Sequence, residues 1–362
     1  MPTTPFRLLA LAGSAALAAA PLMAQPADDN GPRIEPEPGS DVPARPAQPA
    51  DDQPDIDPIA GIPGLGAGPG AGPEAGPRIA PQIPTTASLF AGVIYDGSSD
   101  ANGSAAEISS VRFPVRFQYA TPLNNQNILG VSLNQVSSFY DFQESAAFPG
   151  SGDPLDYALA ANVGLSLIHL YDRQWRFIAA ANIGFSGEID ADFQDSIVGG
   201  GILGARYQVN PDLSIGANLI VQTRIQNDTV IFPVPTVDWQ ISDYWNLQLG
   251  TLNQLPGTVT GGLAVTHDLT DTIDIGGFVG GAFGEYRLAD DNSSVSSGIL
   301  EDTAIPLGTF LTYDYSPNVS IRGSVHAVVW REITLRSTGG GSVGEVEYQP
   351  TLAASLGVQI KL

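Results

Sequence analysis

Thr351-Leu352-Ala353-Ala354-Ser355-Leu356-Gly357-Val358-Gln359-Ile360-Lys361-Leu362 ends the chain. Leu352, Ala354, Leu356, Val358, Ile360 and Leu362 form one set; Thr351, Ala353, Ser355, Gly357, Gln359 and Lys361 form the other. Side chains along a strand point alternately to its two faces, so this period of two makes a strand with one apolar and one small or polar face. Leu213, Ile215, Ala217, Leu219 and Val221 repeat the pattern against Ser214, Gly216, Asn218, Ile220 and Gln222. From residue 86 onward no helical period is sustained. Alternating runs fall near 87–96, 105–119, 128–142, 155–170, 175–187, 196–208 and 213–226, then 229–241, 245–254, 257–268, 273–288, 300–315, 319–335 and 348–362. They predict an all-β, up-and-down antiparallel barrel of fourteen strands, or of twelve if 229–268 holds fewer.

The connections fall into two interleaved sets. Tyr171-Asp172-Arg173-Gln174, Asn210-Pro211-Asp212, Ser242-Asp243-Tyr244, Thr270-Asp271-Thr272 and Ser316-Pro317-Asn318 are short, with Thr121–Asn127 a longer member. Gly97–Ser104, Gln143–Pro154, Glu188–Asp195, Ala289–Ile299 and Arg336–Glu347 are longer and acidic; Asn227-Asp228 and Pro256-Gly257 are tight turns on that same rim. Tight turns on one rim and long loops on the other describe an outer-membrane barrel. The strands reach the roughly 9–11 residues that a tilted strand needs to cross a bilayer. Aromatic side chains gather at both ends: Tyr119, Tyr171, Trp175, Tyr207, Trp239, Tyr244, Trp245, Tyr313 and Tyr315 by the short turns, Tyr95, Tyr140, Tyr157, Tyr286 and Trp330 toward the long loops. Amphipathic rings of this kind prefer the lipid–water boundary.

Outside these strands the composition changes abruptly. Arg7 precedes an apolar run from Leu8 to Ala20, followed by Pro21-Leu22-Met23-Ala24. A basic start, an apolar run too short to span and small residues after it predict a signal peptide over 1–24. Residues 25–85 hold 15 of the 29 prolines, no aromatic residue, a repeated Gln-Pro-Ala-Asp-Asp and a charge of 3 − 10 = −7. Such a segment buries too little apolar surface to offset its ordering entropy, which predicts a disordered acidic linker. An even number of strands places it in the periplasm, where it could meet a cell-wall or envelope partner.

The whole chain has 362 residues, 15 basic against 38 acidic, and no cysteine. That excludes a disulfide scaffold and a catalytic thiol, and a net charge of −23 excludes a nucleic-acid binder.

The last eight residues resemble the C-terminal signal read by the barrel-assembly machinery, with Gly357, Ile360 and Leu362 at its marked positions and Leu362 where Phe is usual. Over about 87–362 the chain also resembles an uncharacterised family of bacterial outer-membrane β-barrel domains of unknown function. The likeness rests on Asp172-Arg173-Gln174-Trp175-Arg176, Ile231–Trp239 and Asp243-Tyr244-Trp245-Asn246-Leu247. It implies a porin-like barrel in contact with outer-membrane lipid and lipopolysaccharide, and it implies no active residue.

If the apolar parity faces lipid, Arg112, Arg116, Arg176, Arg206, Arg224 and Arg322 face the lumen with Asp156, Asp238, Asp274 and Asp314. All but Arg224 of these arginines are expected toward the short-turn half. Asp190, Asp192, Asp195, Asp290 and Asp291 make the outer loops acidic. Small inward residues predict a water-filled channel for small hydrophilic solutes; arginine–aspartate pairs could instead close it, leaving a structural barrel that presents the linker. Ser324 and His326 share the inward parity, which leaves a surface lipid hydrolase as a remote third reading. No catalytic, cofactor or metal residues are assigned. Gly199 to Gly204 and Gly339 to Gly344 match a dinucleotide fingerprint in spacing alone, because neither opens a helix. Asp190, Asp192 and Asp195 lack the Gly and Glu of a calcium loop.

Overall fold

The computed structural model describes residues 84–143, 148, 153–225, 229–250 and 259–362. The expected signal peptide over 1–24 and the expected linker, through residue 83, lie outside them. The strands are β1 (Thr86–Asp100), β2 (Glu107–Asn124), β3 (Asn127–Gln143), β4 (Tyr157–Leu170), β5 (Trp175–Glu188), β6 (Ile197–Asn210), β7 (Leu213–Thr223) and β8 (Thr229–Ser242). They continue as β9 (Trp245–Gly250), β10 (Val259–Thr270), β11 (Ile273–Arg287), β12 (Ile299–Ser316), β13 (Val319–Arg336), β14 (Ser342–Tyr348) and β15 (Thr351–Lys361). From β1 to β14 each strand pairs antiparallel with the next, and β1 closes on β15 from Ser88↔Lys361 to Asp96↔Ala353. Both β14 and β15 pair with β13, so they are one stave interrupted at Gln349-Pro350, and the barrel has fourteen staves.

The short turns share one device. Asn124 Oδ1 accepts from the amides of Gln126 and Asn127 at 2.9 Å each, Asp172 Oδ1 from Gln174 at 2.8 Å and Trp175 at 2.7 Å, and Asn210 Oδ1 from Asp212 at 2.9 Å. Side-chain oxygens here replace the backbone acceptors that a chain reversal loses. The expected longer connection over 121–127 is therefore a tight turn at Asn125-Gln126, because β2 runs on through Thr121, Pro122 and Leu123.

The apolar parity points outward. Leu203 is 61% exposed, Val325 62% and Leu352 70%, while the residues between them face inward. A band of exposed Leu, Ile, Val and Phe round a closed wall is the exterior of an outer-membrane barrel. At the short-turn rim Trp175 stacks on Phe177 at 5.9 Å and 5°, Tyr207 lies 4.9 Å from Trp175, and Trp245 stacks on His267 at 4.4 Å. The opposite belt is thinner than expected. Tyr95 is exposed, but Tyr140 and Tyr286 are each 6% exposed and point inside the barrel.

One β-bulge explains much of what lies inside. Ile305 pairs with Trp330 but Pro306 with Val328, leaving Val329 as an extra residue on β13. Below it Arg322, Ser324, His326 and Val328 face inward; above it Arg331, Ile333 and Leu335 do. An added residue flips parity. Pro306 stands at the bulge, where its missing donor interrupts the ladder least.

Two substitutions test this wall. A Cβ on Gly308 would lie 2.2 Å from His326 Cβ and 2.5 Å from its Cα. Gly308→Val is expected to destabilise the barrel by about 1–3 kcal/mol through overpacking, read as a lower urea midpoint in micelles. Leu203→Arg places a charge on the lipid face near mid-strand and is expected to cost about 2–4 kcal/mol in bilayers. Leu203→Ala should cost less than the Arg variant in the same assay.

Candidate functional site

The long-loop half of the lumen is filled. Ile108, Tyr140, Phe142, Phe148, Leu155, Tyr286, Leu288, Leu300, Ile333, Leu335, Val346 and Tyr348 form one buried cluster, with Ala101, Ala106 and Ala158. Its members come from β1–β4 and β11–β14 and the loops beside them, and none from β6–β10. The reason is a second closure of the wall. The top of β11 crosses the lumen and pairs parallel with β5 at Arg287↔Gly187, although the two strands stand six places apart round the barrel. A Cβ on Gly187 would sit 3.1 Å from the Arg287 carbonyl oxygen, so only glycine admits this approach comfortably.

Side chains hold the crossing. Ser186 Oγ donates to the Glu285 carbonyl, and Glu188 Oε2 accepts from the Ala289 amide at 2.7 Å and from Asn292 Nδ2 at 3.2 Å. Arg287 Nη2 bonds Asp195 Oδ2 at 3.0 Å. Arg224 bridges Glu285 (3.3 Å) and Glu301, and lies over the Phe283 ring at 5.5 Å. Arg336 donates to both oxygens of Glu301, at 2.6 and 3.2 Å.

Beneath the apolar cluster lies a second set of charges. Arg331 donates Nε to Asp302 Oδ1 at 3.0 Å and Nη2 to Oδ2 at 2.7 Å. Tyr140 donates its hydroxyl to Asp302 at 3.1 Å, and Asp96 accepts from Ser110 at 2.7 Å and Arg112 at 2.6 Å. Asp96 is 1% and Arg331 3% exposed, so each needs its partner. Asp96, Arg112, Tyr286, Asp302 and Arg331 also line a cavity between β1, β2 and β11–β13.

The expected lumen residues therefore divide. Arg112 stands five residues past the long-loop end of β2, in the upper charged set and away from the short-turn half. Arg224 belongs to the β5–β11 crossing. Arg116 lies near the middle of β2, and Arg176, Arg206, Arg322, Asp238 and Asp274 face the lumen close to the short turns. Asp156 is exposed in the loop before β4. In the outer loops Asp195 is tied to Arg287, Asp192 caps a turn through the amides of Gln194 and Asp195, and Asp290 accepts from Ser297. Asp190 and Asp291 are exposed, and among the described residues no three acidic or histidine side chains converge on a metal position. Asp96, Glu285, Glu301, Asp302, Arg287, Arg331 and Arg336 did not stand out from the sequence. Charges at a parity that should meet lipid, such as Glu301 and Arg331, were the available signal of a broken alternation.

Ser324 Oγ lies 3.3 Å from His326 Nδ1 and 2.6 Å from Ser355 Oγ. All three are buried on the lumen side, with Phe278 5.7 Å from the imidazole. A lipid chain outside the wall does not meet this pair. Gly357 has a packing role as well: the inward Phe90 ring lies where its Cβ would be, with ring carbons at 2.5 Å. Ile360 and Leu362 carry the outward parity, and Leu362 donates its amide to the Ala87 carbonyl at 2.8 Å.

Three solved structures bear a distant likeness. They are a TodX monoaromatic hydrocarbon channel mutant (TM-score 0.43, 9% identity, 78% of this chain and 91% of that one) and the COG4313 outer membrane channel from Pseudomonas putida F1 (0.40, 10%, 80% and 100%). The third is a Pseudomonas aeruginosa FadL homologue (0.38, 13%, 76% and 90%). At these scores no property of theirs passes to this chain. No curated protein sequence matches it. A family model does match, over residues 92–362, which takes in all but the first residues of the barrel. The chain belongs to the family described as a domain of unknown function, DUF6268.

Proposed function

We propose that this barrel is an outer-membrane channel for small hydrophilic solutes, closed in the conformation described here by the β5–β11 crossing. The short turns and the N-terminal segment face the periplasm in this reading, and the long loops face outward. The observation that carries it is the chemistry of the crossing. The outer wall is held by continuous backbone ladders, whereas β11 meets β5 at one bridged pair supported by Ser186, Glu188, Arg224 and Arg287. Side-chain hydrogen bonds and ion pairs at a partly hydrated rim contribute about 0.5–3 kcal/mol each, so such a contact opens where a ladder would not. Below it the wall presents arginine, aspartate, asparagine and serine, which suit water and polar solutes.

A second reading is a non-conducting barrel that presents residues 25–85 to an envelope partner, and the apolar cluster in the long-loop half favours it. Recording from the full chain in planar bilayers separates the two. The parent protein is expected to show rare conductance steps. Ser186→Ala combined with Arg287→Gln removes one neutral and one charge-assisted hydrogen bond and should raise the open probability by on the order of tenfold or more. Deleting 25–85 should leave the steps in place. Silence from parent and variant alike, with both migrating as folded heat-modifiable barrels, would overturn the channel reading and leave the second.

A further inference from the structure

At the long-loop rim Phe148 and Leu155, before β4, and Leu288, after β11, turn into the lumen and join the buried cluster. The β5–β6 loop does the opposite. Its Ile189 and Phe193 are 67% and 64% exposed, although the chain around them is closely bonded. The Ala191 amide donates to the Glu188 carbonyl at 3.1 Å, the Ser196 amide to the Phe193 carbonyl at 3.3 Å, and Ser196 Oγ to the Asp192 carbonyl at 2.6 Å. With the turn capped by Asp192, these bonds hold both apolar residues in a fixed place.

That place is outside the wall. Phe185 shares the outward parity of exposed Ile183, and its register partner on β6 is Ile197, which is exposed as well. The Phe193 ring stacks on Phe185 at 5.6 Å and 10°, so the loop lies over the lipid face and carries Phe193 there. Its height follows from the aromatic belt at the short turns. Phe185 stands 185 − 175 = 10 residues along β5 from Trp175. At ~3.3 Å per residue and a tilt of roughly 40°, that stretch climbs about 25 Å, the height of the apolar band. Phe193 is therefore at the far lipid–water boundary, with Ile189 one residue beyond the end of β5. Aromatic and large aliphatic side chains at that depth anchor a chain to the bilayer.

The polar residues of the same loop hold the crossing. Glu188, next to Ile189, accepts from the Ala289 amide and from Asn292, and Asp195, two residues after Phe193, accepts from Arg287. We infer that the β5–β6 loop is a lipid-anchored strap: Ile189 and Phe193 sit among acyl chains at the long-loop boundary of the bilayer, and that anchorage keeps Glu188 and Asp195 on the top of β11. The occupant is lipid because the patch continues the wall of Ile183, Phe185 and Ile197, which already faces lipid. A barrel that never conducts would need the same strap, since the crossing belongs to the fold.

Spin labels on the full chain test it, in vesicles of dioleoylphosphatidylcholine and dioleoylphosphatidylglycerol. The chain has no cysteine, so Phe193→Cys and Ile189→Cys each carry a single nitroxide. Ile183→Cys on the wall and Asp291→Cys in the exposed β11–β12 loop are the lipid and water references. The ratio of collisions with oxygen, which concentrates in lipid, to collisions with a water-soluble nickel chelate is expected to be several-fold higher at 193 and 189 than at 291. Hydrogen exchange in the same vesicles reads the hold on the crossing. Ile189→Ser with Phe193→Ser should speed exchange of the Ala289 amide by about fivefold or more, and Ile183→Ser should leave it unchanged. Collision ratios at 193 and 189 equal to that at 291 would overturn the lipid contact. Dipolar broadening between Phe193→Cys labels would overturn it too, by making a second copy the occupant. Lipid-like ratios with Ala289 exchange unmoved in the double variant would overturn the strap.

Discussion

Within hydrocarbon every backbone donor and acceptor must find a partner in the protein, and everything else in this structure is arranged around that requirement. The ladder that joins β1 to β15 satisfies it by leaving the lipid-exposed wall no free edge at that join. Closure enforces alternation, because each residue then faces either lipid or lumen. It also explains why the chain spends its small residues inward. Gly308 is pressed against His326 and Gly357 against Phe90, so the lumen side is packed at several levels and is not an empty bore.

The β5–β11 crossing is the one place where the wall departs from its own ladder. By meeting β5, the top of β11 reduces fourteen staves to a smaller ring of β1–β5 and β11–β14, and only the smaller ring is narrow enough for fifteen side chains to fill. β11 can do this because its two faces are dressed for different neighbours at that height. Tyr286 enters the apolar cluster, while Glu285 and Arg287, on the parity that meets lipid lower down, find Arg224 and Asp195. A carboxylate so placed would be intolerable against lipid, so these charges themselves hold the top of β11 inside. Buried pairs of this kind specify an arrangement more than they stabilise it, since desolvation offsets most of their attraction.

The strands were legible because period two is a local property, and the turns because Asn124, Asp172 and Asn210 carry the side-chain acceptor that a reversal needs. The lumen residues were legible only as far as the alternation ran unbroken. Val329 is one residue too many on β13, and nothing in its side chain announces a bulge, so alternation carried up from Arg322 assigns Arg331, Ile333 and Leu335 to the wrong face. Tyr140 and Tyr286 looked like interface aromatics because they sit at strand ends, although alternation gives both the inward parity, opposite to exposed Phe139 on β3 and Ile275 on β11. The level of Arg112 failed for a related reason. Its partner Asp96 is on the neighbouring strand sixteen residues earlier, and pairing across strands depends on register, which alternation alone does not set.

Charge composition is nearly balanced in both halves of the lumen, and in both the opposite charges are near neighbours along the wall. In the upper half Arg112, Arg331 and Arg336 each touch a carboxylate at 2.6 to 2.7 Å, and a contact pair has almost no field a few ångströms away. In the lower half Arg206 leans over Gly216 toward β8, which carries Asp238, and Arg322 pairs in register with Thr312, two residues from Asp314. Which carboxylate an arginine meets is therefore set by strand register and, at Arg331, by one bulge, not by how many arginines and aspartates the chain contains.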